Sequence, residues 1–145
     1  MVDQASERIR IDAPAARCYA IALDFEAYPT WAKDVKRAKV LETDEHGRGT
    51  LVEFRAAALG KSIRYVLAYD HSNAPNGFSW RFAEGEMLRR LDGAYRFEAE
   101  TEQSTRVHYD LLVEVAVPLP GMVKRRAASL IMGNALKELK KHIEG

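Results

Sequence analysis

The chain has 145 residues, of which 47% are apolar and 30% charged; that is enough for one water-soluble domain spanning 1–145 and burying roughly 70% of its unfolded surface. A formal net charge of +1 offers no global attraction for nucleic acid, and the single cysteine, Cys18, excludes an internal disulfide and any multi-cysteine metal site. Asp3, Glu7, Arg8, Arg10 and Asp12 exclude a secretory apolar region at the start, and no charge-free apolar run approaches the ~20 residues of a membrane span, so the expected location is cytoplasmic.

The chain opens on an alternating segment, Ser6 to Asp12, with Ile9 and Ile11 on one side, which predicts a first strand. Pro14 stands where a helix accepts its first residue, because proline lacks the N–H that would go unpaired there. Ala15 to Leu23 reads as helix, with Cys18 a small core residue among alanines. Asp24 to Trp31 reads as a second short helix or turn interrupted by Pro29. Strands are predicted at about 35–43, 48–57, 62–71, 77–83, 88–99 and 105–117. Their separators are rich in turn formers: 44–49 (Asp-Glu-His-Gly-Arg-Gly), 73–77 (Asn-Ala-Pro-Asn-Gly) and Gln103-Ser104. Six strands joined by short turns form an antiparallel meander. Pro118, Leu119, Pro120 and Gly121 end the last strand. The amphipathic stretch from about Met122 to Ile143 is then the only long helix, with Met132, Leu136, Leu139 and Ile143 as its apolar stripe.

The distribution of aromatics narrows the possibilities. Phe54, Tyr65, Tyr69, Phe78, Trp80, Phe82, Tyr95, Phe97 and Tyr109, nine of the thirteen aromatic residues, fall on one strand parity. Glu53, Arg55, Arg64, Arg81, Arg96, Glu98, His108 and Asp110 fall on the other. Successive strand residues point to opposite faces, so the pattern predicts a curved sheet with one aromatic side and one wet side, its aromatic side covered by the last helix. Ala128 and Ala135 lie on or beside the helix's inward stripe, and small residues opposite large ones leave space. A cavity of a few hundred cubic ångströms is expected between sheet and helix. The inward tyrosines either hydrogen-bond one another, the backbone or buried water in a solid core, or line a cavity whose occupant supplies their partners.

Motifs for chemistry are sparse. His46, His71, His108 and His142 show no metal-ligand spacing and are expected as solvated surface histidines; no metal site is predicted. Gly47-Arg48-Gly49 reads as a hairpin turn, since no helix follows it to make a phosphate loop. There is no G-x-S-x-G elbow, and Glu84 and Glu86 sit in a turn. The strand arginines 55, 64, 81 and 96 take the outer parity, leaving only tyrosines as inward titratable groups. No catalytic residue and no cofactor is predicted.

The order strand, two short helices, six-strand meander and long helix resembles the helix-grip fold of START-like proteins. More narrowly, the chain resembles the polyketide cyclase/dehydrase and lipid transport family, with its coenzyme-Q-binding and ribosome-association-toxin relatives. The residues that carry this are 24–31 (Asp-Phe-Glu-Ala-Tyr-Pro-Thr-Trp), 78–80 (Phe-Ser-Trp), 91–97 (Leu-Asp-Gly-Ala-Tyr-Arg-Phe), 105–107 (Thr-Arg-Val) and 117–121 (Val-Pro-Leu-Pro-Gly). The resemblance implies an α+β fold in which a curved antiparallel sheet of about seven strands (β-α-α-β6-α) wraps around the C-terminal helix. It also implies that the segment around Trp31 closes one end of the cavity. The expected function is binding of a hydrophobic small molecule, such as a lipid, isoprenoid quinone or polyketide, as carrier or sensor. The alternatives are a polyketide aromatase/cyclase-dehydrase and a ribosome- or protein-partner regulator. The expected ligand-binding residues are Trp31, Phe54, Tyr65, Leu67, Tyr69, Trp80, Phe82, Tyr95, Tyr109, Ala128, Met132 and Ala135. The charge-free stretch 127–136, bounded by Lys124, Arg125 and Arg126 and by Lys137, Lys140 and Lys141, offers a transient contact with an anionic bilayer. The chain is expected as a monomer or homodimer.

Overall fold

The computed structural model describes the backbone of residues 2–58, 61–116 and 121–145, and the side chains of residues 3–57, 61–116 and 133–145. In chain order the elements are β1 (Val2–Ile11), α1 (Ala15–Leu23), a 3-10 helix (Phe25–Thr30), β2 (Val35–Thr43), β3 (Gly49–Ala58), β4 (Lys61–Asp70), β5 (Gly77–Gly85), β6 (Leu88–Thr101), β7 (Ser104–Val115) and α2 (Gly121–Glu144). The strands form one antiparallel sheet in the order β1-β7-β6-β5-β4-β3-β2, a meander to which β1 is added beside β7. This is the α+β, helix-grip arrangement that the strand parity and element order predict.

β5 runs on to Gly85, so Glu84, expected in a turn, lies in a strand opposite Val66; two further differences concern β1 and α1. β1 starts at Val2, not near Ser6, because its backbone pairs along the whole of β7, with Asp3 opposite Val113, Ala5 opposite Leu111 and Glu7 opposite Tyr109. The long neighbour sustains a strand where polar composition alone gives no signal. Pro14 is the residue before α1, in an extended conformation with ψ 148°, and its carbonyl accepts from the Cys18 N–H.

The inner parity is buried as the alternation requires: Val52, Phe54 and Ala56 on β3, Tyr95 and Phe97 on β6, and Val107, Tyr109, Leu111, Val113 and Val115 on β7. The outer face carries charge, but it is not merely solvated. Val66, on the outer parity of β4, is only 2% exposed. It lies between Glu53 and Glu84 on the neighbouring strands, and Arg64 bridges those two carboxylates at 2.7 and 3.1 Å.

The helix α2 packs against β1 and β7, and its described C-terminal turns are held in the core. Leu136, Leu139 and Ile143 are buried in the same cluster as Ile11, Cys18 and Val107. Around them, polar bonds join the helix end to the β1–α1 corner. The Lys140 ammonium donates to the Arg10 carbonyl at 2.8 Å and to Glu144 at 2.6 Å, while Glu144 accepts from the Asp12 N–H at 2.8 Å. Beneath this clamp the buried Thr105 hydroxyl donates to the Ala13 carbonyl at 2.8 Å.

Leu139 is wholly buried in this cluster. Leu139→Ala is therefore expected to destabilise by about 2–5 kcal/mol, the range for truncating a large core side chain. Leu41→Ala, at a 41% exposed position, is expected to change stability by no more than about 0.5 kcal/mol. Urea unfolding of the two variants checks the contrast; comparable losses would show that the clamp is not where the helix is held.

Candidate ligand-binding site

Between the inner face of the sheet, the turn after the 3-10 helix and the last turns of α2 lies a cavity of about 310 Å³. Large side chains prop it open. Phe54 and Tyr65 stack at 5.5 Å across β3 and β4, Tyr95 and Tyr109 meet edge to face at 4.5 Å across β6 and β7, and Trp80 meets both at 5.6 Å. Aromatic pairs at such spacings resist closer collapse.

Trp80 occupies its place because of one glycine. It pairs with Gly93 on β6, and a Cβ at Gly93 would stand 2.5 Å from the indole and 2.6 Å from the Asp110 carbonyl oxygen. The indole thus lies over bare backbone. Immediately beyond this pair β5 and β6 part, and the Asp92 carboxylate accepts the Phe82 N–H at 2.9 Å, a donor that would otherwise lose its ladder partner. The Asp-Gly of the 91–97 segment therefore opens the sheet and seats the tryptophan.

Of the residues expected to contact a ligand, Trp31, Phe54, Tyr65, Leu67, Tyr69, Trp80, Tyr95, Tyr109 and Ala135 line the cavity. Phe82 does not. It packs at the edge of the core where β5 diverges from β6, so inner parity no longer aims a side chain at the cavity. The side chains of Ala128 and Met132, and those of Lys124, Arg125 and Arg126 of the expected bilayer contact, lie outside the described residues.

The lining also includes residues outside that expectation. Ala56, Ile63, Leu91, Leu111, Val113 and Val115 share the inner parity and were legible from it. Leu88 was not, since it reaches the cavity only through a register shift between Leu88 and Arg90. Asp34, Asn134 and Glu138, all partly or fully exposed, bring polar groups to the cavity's border from a turn and from α2. There Glu138 accepts the Lys33 N–H at 2.9 Å, tying the turn to the helix. Trp31 adds a stack on His142 at 5.8 Å.

The phenols divide into two kinds. Tyr28 donates to the Ala22 carbonyl and belongs to the scaffold. The hydroxyls of Tyr65, Tyr69, Tyr95 and Tyr109 have no hydrogen-bond partner among the described residues, yet they are not sealed in protein; they open on the cavity. Burial pushes the Tyr65 phenol up to about 12 and those of Tyr69, Tyr95 and Tyr109 well above their ordinary value, neighbouring phenols adding to the effect for these three. At neutral pH they are hydrogen-bond donors held protonated, not bases. The Trp31 indole N–H is buried without a partner among the described residues.

His71 corrects the expectation of four solvated histidines. It is 8% exposed, stacks on Tyr69 at 6.3 Å, and its Nε2 lies 2.6 Å from the Gly49 carbonyl. A carbonyl accepts only, so Nε2 carries the hydrogen and Nδ1 is left bare and buried. His108 lies on the outer face against Glu98 at 3.1 Å, and His46 and His142 are exposed. Among the described residues no cluster of histidine, cysteine or carboxylates is arranged to hold a metal ion, and no helix is long and apolar enough to cross a membrane.

Comparison with known proteins finds the same fold. A START superfamily protein of known structure from Mycobacterium smegmatis superposes with a TM-score of 0.91 at 25% identity, 97% of each chain being covered. A protein from Thermus thermophilus gives 0.80 at 25% identity over 97% of this chain and 96% of the other. The Zhui aromatase/cyclase from a Streptomyces species gives 0.83 at 14% identity over 99% and 94%, a likeness of fold. A sequence comparison with curated proteins gives no match.

The buried phenols make a prediction about alkali. An unfolded tyrosine ionises near 10.0, below the folded values of these residues. As pH rises past that value the unfolded chain loses phenolic protons that the folded chain keeps, so the unfolded state is favoured and stability falls. Thermal melts are expected to be flat with respect to these groups below that pH and to drop steeply above it. Phenolate absorbance should then appear together with unfolding; stepwise ionisation of the cavity tyrosines in a folded protein would contradict the burial.

Residues 3–144 match the family described as polyketide cyclase/dehydrase and lipid transport, so the chain belongs to that family, whose members bind hydrophobic ligands.

Proposed function

We propose that this protein binds a hydrophobic small molecule in the cavity between sheet and α2, as a carrier or sensor. The observation that carries the reading is the set of four phenol hydroxyls opening on an apolar space without partners among the described residues. A ligand oxygen that accepts from these hydroxyls gains a hydrogen bond worth about 0.5–1.5 kcal/mol in a site lined mostly by apolar groups. The cavity's volume of about 310 Å³ is that of a small-ligand site.

Cyclase chemistry is less well served. Enolising a ketone needs a base within reach of the substrate, and the phenols are held protonated. The carboxylates that border the cavity, those of Asp34 and Glu138, stand partly in solvent. The arrangement favours holding a molecule over transforming it.

Native mass spectrometry of protein purified without detergent tests the reading. A co-purified apolar mass supports it, and addition of that compound at about 100 times its Kd should stabilise the fold by about 2.7 kcal/mol. Tyr95→Phe should leave the empty protein as stable or more so, while reducing the stabilisation by an oxygen-bearing ligand. An empty protein that no apolar compound stabilises would overturn the proposal.

A further inference from the structure

We infer that the cavity selects neutral, oxygen-bearing hydrophobic molecules and discriminates against carboxylates, the phenol hydroxyls reading the oxygen and the Asp34 and Glu138 carboxylates turning anions away at the border. The inference rests on the proposed binding function and deepens it by naming the ligand's polar chemistry.

Three observations combine. First, the hydroxyls of Tyr65, Tyr69, Tyr95 and Tyr109, without partners among the described residues, can donate into the cavity that these residues line. A carbonyl or ether oxygen offers lone pairs and no hydrogen, so it complements such donors without leaving a new group unpaired. Second, the charged groups that border the cavity among the described residues are both acidic. Glu138 is held in position by the Lys33 N–H at 2.9 Å, and the Asp34 carbonyl accepts the Ala57 N–H at 2.8 Å, which fixes the turn carrying its side chain against β3. A carboxylate entering past them meets like charge. Third, the cavity interior penalises negative charge already. Its own phenols, the nearest probes of the local environment, are pushed toward their neutral forms by burial, and a bound carboxylate would meet the same loss of water.

A matched set of naphthalenes isolates the effect, with quenching of tryptophan fluorescence and calorimetry as readouts. β-Acetonaphthone carries a neutral carbonyl, β-naphthoate a carboxylate, and β-ethylnaphthalene no oxygen. At about pH 8, where the acid is ionised, the ketone is expected to bind at least about tenfold more tightly than the carboxylate. Replacing Tyr95 and Tyr109 together by phenylalanine should weaken the ketone about tenfold and leave the hydrocarbon unchanged. Glu138→Gln, which keeps an oxygen to accept the Lys33 N–H, should improve the carboxylate about two- to fivefold relative to the ketone. It also serves as the independent readout if the double variant does not fold.

Naphthoate binding as tightly as the ketone would overturn the inference, as would a double variant that weakens all three compounds alike. Hydrocarbon binding equal to the ketone's would leave the cavity as a hydrophobic binding site but overturn the role of the phenols. Failure of all three to bind would overturn the inference together with the binding function beneath it.

Discussion

The C-terminal turns of α2 both close on the core and border the cavity, and much of the molecule's character follows from how these two jobs are divided. At the C-terminal end of α2, Leu136, Leu139 and Ile143 close on the core, and Lys140 and Glu144 bond to the backbone of Arg10 and Asp12. Backbone groups at an element's end need partners, so these side chains satisfy β1 while fixing the helix. Farther back along α2, from Glu138 to Asn134, the facing side chains are Trp80, Tyr95, Tyr109 and Tyr65, which stand on a curved sheet and prop against one another. The gap is therefore held open by rigid rings and closed by aliphatic contact at a separate place. Stability and hollowness do not compete for the same residues.

The cavity's polarity is set by a similar division. Tyr28 hydrogen-bonds to the scaffold, whereas its neighbours across the cavity have no such bond among the described residues. Four protonated phenols on an apolar wall are acceptors' partners in waiting, and because each is raised by burial, chiefly through lost hydration, none is a ready proton acceptor at neutral pH. Desolvation, the effect that keeps the site from acting as a base, also sharpens its hydrogen bonds, since an electrostatic contact is stronger where water is excluded.

Much of this was legible in the sequence because a strand has a period of two and the aromatic residues are bulky. Parity alone placed Phe54, Tyr65, Tyr69, Trp80, Tyr95 and Tyr109 on one face, and the same parity extends to Ile63, Leu91 and Leu111, which also line the cavity. The reading failed where parity loses its meaning. Phe82 lies just past the point where β5 leaves β6, and Leu88 gains its inward position from a register shift that composition does not announce. His71 looked like a turn residue exposed to solvent; contact with Gly49, far away in sequence, and with the ring of Tyr69 buries it. Asp34, Asn134 and Glu138 reach the border through the placement of a turn against a helix, information that resides in the tertiary fold and not in any local pattern.

The split between β5 and β6 shows how the sheet accommodates a hollow without losing its hydrogen bonds. A sheet curved enough to enclose space must break its ladder somewhere, and an unpaired buried N–H there is unfavourable. Here the break falls beside an Asp-Gly pair. Gly93 removes the Cβ that would strike the Trp80 indole, and Asp92, pointing to the other face, takes the orphaned Phe82 N–H while Arg90 pairs with its second oxygen at 3.1 Å. One residue makes room on the inside and the next repairs the ladder from the outside. A single dipeptide thus couples the curvature of the sheet to the position of the tryptophan that stands on it in the cavity, which is why this stretch of the chain carries more of the site than its two small residues suggest.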